Sequence, residues 1–164
     1  MGMVVKLFFR GLAIFLREDG KAYAKLYTDD KINEFYGYDY RQDLGNNQPD
    51  GEYFFKFMSD LKAKKEEYSL AVRLGDKMIG EIVFYNFDYS GSAEIGFRFF
   101  PEYQGKGYAA ESVKAAIEYA FKQGFIKITC RHFKANARSE NLILKLGFTF
   151  TREDETHKYY ELKK

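Results

Sequence analysis

Between two β-rich runs, 93–100 and 125–133, the chain carries one long helical stripe. Ala109, Val113, Ala116, Ile117, Ala120 and Phe121 recur at helical spacing and stop at Gly124, a natural C′ residue. A strand, a helix of this length and a second strand cannot close as a hairpin, but the connection is long enough for a parallel crossover. Upstream the period changes to that of strands. Runs 69–74, 77–87 and 93–100 are separated by Gly75-Asp76 and by 88–92, short glycine-containing breaks that signal hairpins. An antiparallel meander therefore feeds a parallel crossover.

The flanks complete the order. Segment 12–18 reads as a first strand, and 19–36 carries Tyr23, Leu26, Tyr27, Ile32 and Phe35 at near-helical spacing. Residues 37–50 read as a loop, after which Asp50 can N-cap a helix over 51–66 with Phe54, Phe57, Met58 and Leu61 on one face. The cluster Lys62, Lys64, Lys65, Glu66 and Glu67 reads as a solvated helix end. Beyond the crossover, Ile126, Ile128 and Cys130 alternate with Lys127, Thr129 and Arg131. A short helix over 139–146 closes at Gly147, and strands 148–152 and 157–162 flank a polar turn. The sum predicts an α/β (α+β) fold: one mixed, mostly antiparallel sheet with helices on both faces. The 164 residues fit one domain, with 1–11 as an extra N-terminal segment.

Composition removes several functions. With 46% apolar residues, 17 Phe and 14 Tyr, the chain can bury a full core, so a disordered class is excluded. Twenty-six Lys+Arg against 24 Asp+Glu leave a net charge of +2, which gives no argument for a nucleic-acid partner. One cysteine and two histidines allow no intramolecular disulfide and no thiolate or imidazole metal site. The N-terminal apolar run is split by Arg10, no small-x-small cleavage site follows, and Lys6 stands where a myristoylation motif wants Ser or Thr. No run approaches the roughly 18 apolar residues a spanning helix needs, so a soluble, cytoplasmic chain without a membrane partner is expected.

The turn before the long helix, Gln104-Gly105-Lys106-Gly107-Tyr108-Ala109, carries the chemistry. Glycines there let backbone N–H groups approach a ligand, the helix N-terminus adds its unpaired donors, and Lys106 adds a charge. A tight turn needing glycine for its backbone angles alone is the plainer alternative. The P-loop pattern fails because Gly107 follows Lys106 and no second glycine has the required spacing. Gly105-x-Gly107-x-x-Ala110 matches the dinucleotide fingerprint, but the acidic residue expected about 20 positions on is missing from 126–131.

Gln104-x-x-Gly107-x-Ala109 resembles the Arg/Gln-x-x-Gly-x-Gly/Ala signature of the GNAT acetyltransferases. Residues 94–103, Glu-Ile-Gly-Phe-Arg-Phe-Phe-Pro-Glu-Tyr, look like that family's fourth strand and loop entry. Asn136-Ala-Arg-Ser139 with Lys145-Leu-Gly-Phe148 looks like its Asn-x-x-Ser…Lys-x-Gly-Phe segment. The pattern is similar to the branch of ribosomal-protein N-terminal and spermidine acetyltransferases.

The resemblance implies an acyl-CoA N-acyltransferase fold whose fourth and fifth strands splay apart, with acetyl-CoA as acyl donor in the gap. It implies that Gln104, Gly105, Lys106, Gly107, Tyr108 and Ala109 hold the pyrophosphate. Phe97 and Phe99 would offer main-chain contacts to the pantetheine, and Asn136 a hydrogen bond. Glu94 would be the base, directly or through water, with Asn86 across from it; a salt-bridged or solvent-facing Glu is the alternative. Ser139 would be the acid near the sulfur, though Ser before an acidic first turn is also a good N-cap. Tyr159 or Tyr160 is the other candidate acid. Arg98 departs from the pattern and could face an acidic or carboxylate-bearing acceptor, or pair with a neighbour. Cys130, on an apolar strand face, reads as core.

The implied activity is transfer of acetyl to a primary amine, such as a protein N-terminus, a polyamine or another small amine, by direct attack in a ternary complex. A homodimer is compatible with this reading. A non-catalytic acyl-CoA-binding or sensor domain and a dinucleotide oxidoreductase are the rivals. The acceptor pocket is expected from about 19–66 and 148–163, where Phe35, Tyr36, Tyr38, Tyr40, Phe54, Tyr159 and Tyr160 cluster. Asp29, Asp30, Glu34, Asp39 and Asp43 would attract a cationic acceptor or form an exposed acidic helix end.

Overall fold

The computed structural model describes residues 12–14, 17–36, 52, 56, 60 and 67–164. Seven strands form one sheet: β1 (Leu12–Ile14), β2 (Glu67–Leu74), β3 (Lys77–Tyr85), β4 (Ser92–Phe99), β5 (Lys127–Phe133), β6 (Thr149–Glu153) and β7 (His157–Lys163). Among the described residues four α-helices have both ends in view: α1 (Gly20–Thr28), α2 (Asp30–Asn33), α3 (Tyr108–Lys122) and α4 (Ala137–Lys145). The strand order is β1-β2-β3-β4-β5-β7-β6. Every pair is antiparallel except β4–β5, the crossover carried by α3. The mixed, mostly antiparallel sheet expected from the period changes is therefore present.

Two expectations need correction. Among the described residues of the run 12–18, Leu12–Ile14 is strand, and Arg17–Asp19 forms a 3₁₀ turn. The stretch 19–36 is two helices, because Asp29 takes an extended ψ of 116° and its carboxylate accepts from the Ile32 N–H at 3.0 Å. An Asx cap thus outcompetes a continuous helix. Of the expected helix 51–66, Glu52, Lys56 and Asp60 are helical and exposed, on one face at i, i+4 and i+8. Its apolar face, Phe54, Phe57, Met58 and Leu61, lies outside the described residues, as do 1–11, Tyr38, Tyr40, Asp39 and Asp43.

Alternation sorts β4 onto two faces. Ala93, Ile95 and Phe99 are buried and Phe97 packs on them, with Val113, Ala116, Ile117 and Ala120 of α3 and Ile143 of α4. Cys130 belongs to this core, and burial pushes its thiol well up, so the apolar reading holds. The opposite face packs Tyr23, Leu26 and Tyr27 of α1 on Ala71, Met78 and Phe100. Gly80 sits where β3 and β4 cross closely: a Cβ there would lie 2.5 Å from Phe99 Cδ1 and 2.7 Å from the Arg98 carbonyl. Gly124, at φ 103°, ends α3 as its sequence position predicts.

Candidate active site

β4 and β5 pair over three rungs only, Ser92↔Lys127, Ala93↔Ile128 and Glu94↔Thr129. Beyond Glu94 the strands part, while β3 continues to pair with β4 and β7 with β5. The Phe100 N–H donates to the Ile79 carbonyl across β3 at 3.0 Å. By strand alternation, the main-chain groups of Phe99 and Phe97 then face the gap. The two residues expected to offer backbone to a ligand are thus those turned toward it. Phe99's carbonyl already accepts from Gln104 Nε2 at 2.9 Å, which leaves Phe97 the more open.

Glu94 stands at the vertex, at the last rung before the strands separate. Its carboxylate accepts from the Tyr85 hydroxyl and from Asn86 Nδ2, both at 2.9 Å, and faces Arg131 Nε at 3.2 Å. Asn86, expected roughly across from Glu94, lies one residue beyond its cross-strand partner Tyr85 and, at φ 49°, reaches the carboxylate through its side chain. Burial, then the charge of Glu94, pushes the Tyr85 phenol far above its ordinary range, so Tyr85 is a fixed donor here.

At the far end of the gap, Gly105 and Gly107 take φ 73° and 86°. A Cβ at either would meet nothing within 4 Å, so the turn demands glycine for its φ and leaves open space beside it. Lys106 is exposed between them, and Gly107 is the N-cap of α3 with no side chain bonding the helix's first amides. Those amides are free donors along the helix axis. The Gln104 side chain bridges strand and helix, donating to Phe99 and accepting from Arg138 of α4.

The start of α4 corrects the capping expectation for Ser139. The helix begins at Ala137, not at 139, and Asn136 is its N-cap, with Oδ1 accepting from the Ser139 N–H at 3.1 Å. Ser139's hydroxyl makes no hydrogen bond among the described residues and is half-buried. Capping therefore occupies one end of the Asn136 amide and leaves its NH₂ available. Tyr160 donates to Glu140 at 2.9 Å, and burial followed by that carboxylate pushes its phenol up to about 12. Tyr159 lies on the other face, giving its hydroxyl to Asp154 at 2.6 Å.

Arg98 does not face a channel. It is buried, donates Nε and Nη2 to Glu81 Oε2 at 3.0 and 2.8 Å, and gives Nη1 to Asn33 at 2.7 Å. Tyr27 and Tyr36 sandwich its guanidinium at 3.8 and 4.2 Å. Glu81 also accepts from Tyr27 and Ser69, which ties α1 and α2 to β2, β3 and β4 beneath the cleft. The sequence reading missed Glu81. Its signal was a single charge inside the apolar run Met78-Ile-Gly-Glu-Ile-Val-Phe84, since a fully buried carboxylate needs a partner.

A mixed sheet with one parallel pair splayed from a polar vertex toward a glycine-rich turn at a helix N-terminus is the arrangement that the sequence resemblance implies. The model of the acetyltransferase (GNAT) domain matches residues 11–149, and the chain belongs to that family. The uncharacterized N-acetyltransferase YnaD of Bacillus subtilis is 45% identical over 58 residues, which are 35% of this chain and only 34% of that protein's length. The spermidine N-acetyltransferase of Vibrio cholerae, whose crystal structure holds CoA and spermine, superposes with a TM-score of 0.78 at 19% identity, covering 93% of this chain and 94% of that one. The ribosomal-protein-S5-alanine acetyltransferase of Vibrio fischeri gives 0.73 at 19% identity, covering 93% and 91%. Acetyl-CoA is the acyl donor of this family, and the residues present fit it: a gap with main chain turned inward, open space at Gly105 and Gly107, and unpaired helix amides.

Proposed function

We propose that this chain moves the acetyl group of acetyl-CoA to a primary amine by direct attack in a ternary complex. The observation that carries the reading is Glu94, a half-buried carboxylate at the vertex of the splayed strands. In this reading the turn 104–109 and the first amides of α3 take the pyrophosphate, with Lys106 adding charge. Phe97 and Phe99 offer main chain to the pantetheine, and Asn136 adds its free NH₂. Glu94 takes the proton that the amine must lose to become nucleophilic, and Ser139 gives a proton toward the departing sulfur. A main-chain N–H of β4 steadies the oxyanion. The relatives named for spermidine and for a ribosomal protein support a small-molecule or peptide amine as acceptor. No described helix is long and apolar enough to cross a membrane, which is consistent with work in the cytoplasm.

One observation favours the rival, an acyl-CoA sensor of the same fold. Glu94 already has three partners, including the Arg131 ion pair, as a purely structural carboxylate would. Glu94→Gln separates the two. A thermal-shift titration with acetyl-CoA, with NADH and ATP beside it, reads donor binding; saturation at about 100 times Kd adds about 2.7 kcal/mol. The enzyme reading expects wild-type and variant to bind acetyl-CoA alike, while acetylation falls on the order of 100-fold in the variant. Acetyl-CoA binding with no amine acetylated by wild type would leave the sensor, and no shift with acetyl-CoA would end both.

A further inference from the structure

We propose that the acceptor carries a carboxylate beside its amine, as an amino acid does, and that Arg131 binds that carboxylate. The inference rests on the acetyl-transfer reading and names its substrate class. Arg131 stands on β5 two residues past the last rung to β4, on the same face as Glu94. Its Nε lies 3.2 Å from the Glu94 carboxylate, and its side chain is 42% exposed against 14% for the carboxylate. A carboxylate and a guanidinium fork thus lie side by side where the strands part. A zwitterion has the complementary arrangement, its ammonium toward Glu94 and its carboxylate toward the outer N–H groups of Arg131.

Arg131 pairs with Tyr159 of β7 and its guanidinium also interacts with that hydroxyl, and Arg152 stacks its guanidinium 3.5 Å from the same ring. Asp154 lies at the far end of that ring, accepting from the Tyr159 hydroxyl and from the N–H groups of Thr156 and His157 in its own turn, which hold it ionised. A polyamine would bring its second cation against the exposed Arg131 guanidinium, whereas a carboxylate would find it. Beyond Arg131 on the same face, Phe133 packs on His157 at 4.1 Å and on the exposed Phe35 at 6.5 Å, a rail suited to an apolar or aromatic side chain. In the transfer the ammonium first gives a proton to Glu94. The amine nitrogen then bonds the thioester carbonyl carbon as the C–S bond breaks; one of its two N–H protons is lost, matching the proton the thiolate takes up, the other stays on the amide, and Glu94 returns its proton to solvent.

The test uses the full chain at saturating acetyl-CoA. L-Phenylalanine, L-leucine and L-glutamate are each compared with the decarboxylated amine, and spermidine is run alongside. Wild type is expected to show kcat/KM higher by about tenfold or more for at least one amino acid than for its decarboxylated partner, the scale of one charge-assisted contact. Arg131→Gln should collapse that ratio toward one, and Arg131→Lys should restore part of it. Decarboxylated amines or spermidine used as well as the amino acids would overturn the proposal, as would a ratio unmoved by Arg131→Gln. Acetyl-CoA binding with no amino acid acetylated overturns this inference alone, whereas absent acetyl-CoA binding removes the functional reading beneath it.

Discussion

Asn136 and Ser139 show how a motif assigns two jobs that only coordinates can separate. On sequence grounds Ser139 is the cap candidate, but Asn136 caps α4, which leaves the serine hydroxyl free of the helix. Asn136→Ala should therefore cost about 1 kcal/mol of stability, the usual value of an N-cap. Ser139→Ala should leave stability within about 0.5 kcal/mol and lower turnover; urea unfolding and acetylation rates read the two effects. The same separation explains what was legible at this scale. Cys130 and the faces of β4 followed from alternation, which depends only on neighbours in sequence. The Glu81–Arg98 pair, the Arg131–Glu94 pair and the Gln104 bridge to Arg138 depend on register between strands and on packing between distant elements. No local pattern encodes those meetings.

Elements were read well where periodicity was long and capped. α3 runs Tyr108–Lys122 against an expected 108–123, and β5 begins two residues later than the apolar run because 125–126 complete the turn. The failures came where a side chain overrides a run, as Asp29 does between α1 and α2. Two glycines make opposite predictions about the elements they serve. Gly107→Ala meets open space, so its cost is the left-handed φ alone, about 1–2 kcal/mol. It should also weaken acetyl-CoA binding, because the turn must shift to relieve that strain. Gly80→Ala drives a methyl into the Phe99 ring and the Arg98 carbonyl, so β3 and β4 must separate. It should destabilise by more than Gly107→Ala, and a calorimetric scan of both variants beside an acetyl-CoA titration checks the ordering.

For the whole molecule, buried phenols set an alkaline limit. Tyr23 and Tyr85 are pushed well above the ordinary value by burial, and Tyr160 to about 12 by burial and Glu140. A phenol whose folded pKa is raised binds its proton more tightly in the native state. Its contribution is fully present below the unfolded value near 10 and is lost as pH rises from there through about 12. Unfolding midpoints should fall between pH 9.5 and roughly 11.5 in wild type, and Tyr160→Phe should make that slope shallower. The three rungs between β4 and β5 have a mechanical consequence. Among the described residues they are the only ladder joining the sheet's two halves, β1–β4 and β5–β7, and the seam is otherwise held by the Ile126 N–H bond to the Gly91 carbonyl, the Glu94–Arg131 and Gln104–Arg138 contacts and side-chain packing against α3 and α4. The sheet is a spring clip closed at one end, its compliance set by a core that transmits strain without fixing the width of the mouth. A strand-like guest would stiffen both arms at once, so amide exchange should slow together along Ile95–Phe99 and Cys130–Phe133, on two strands that share no ladder there.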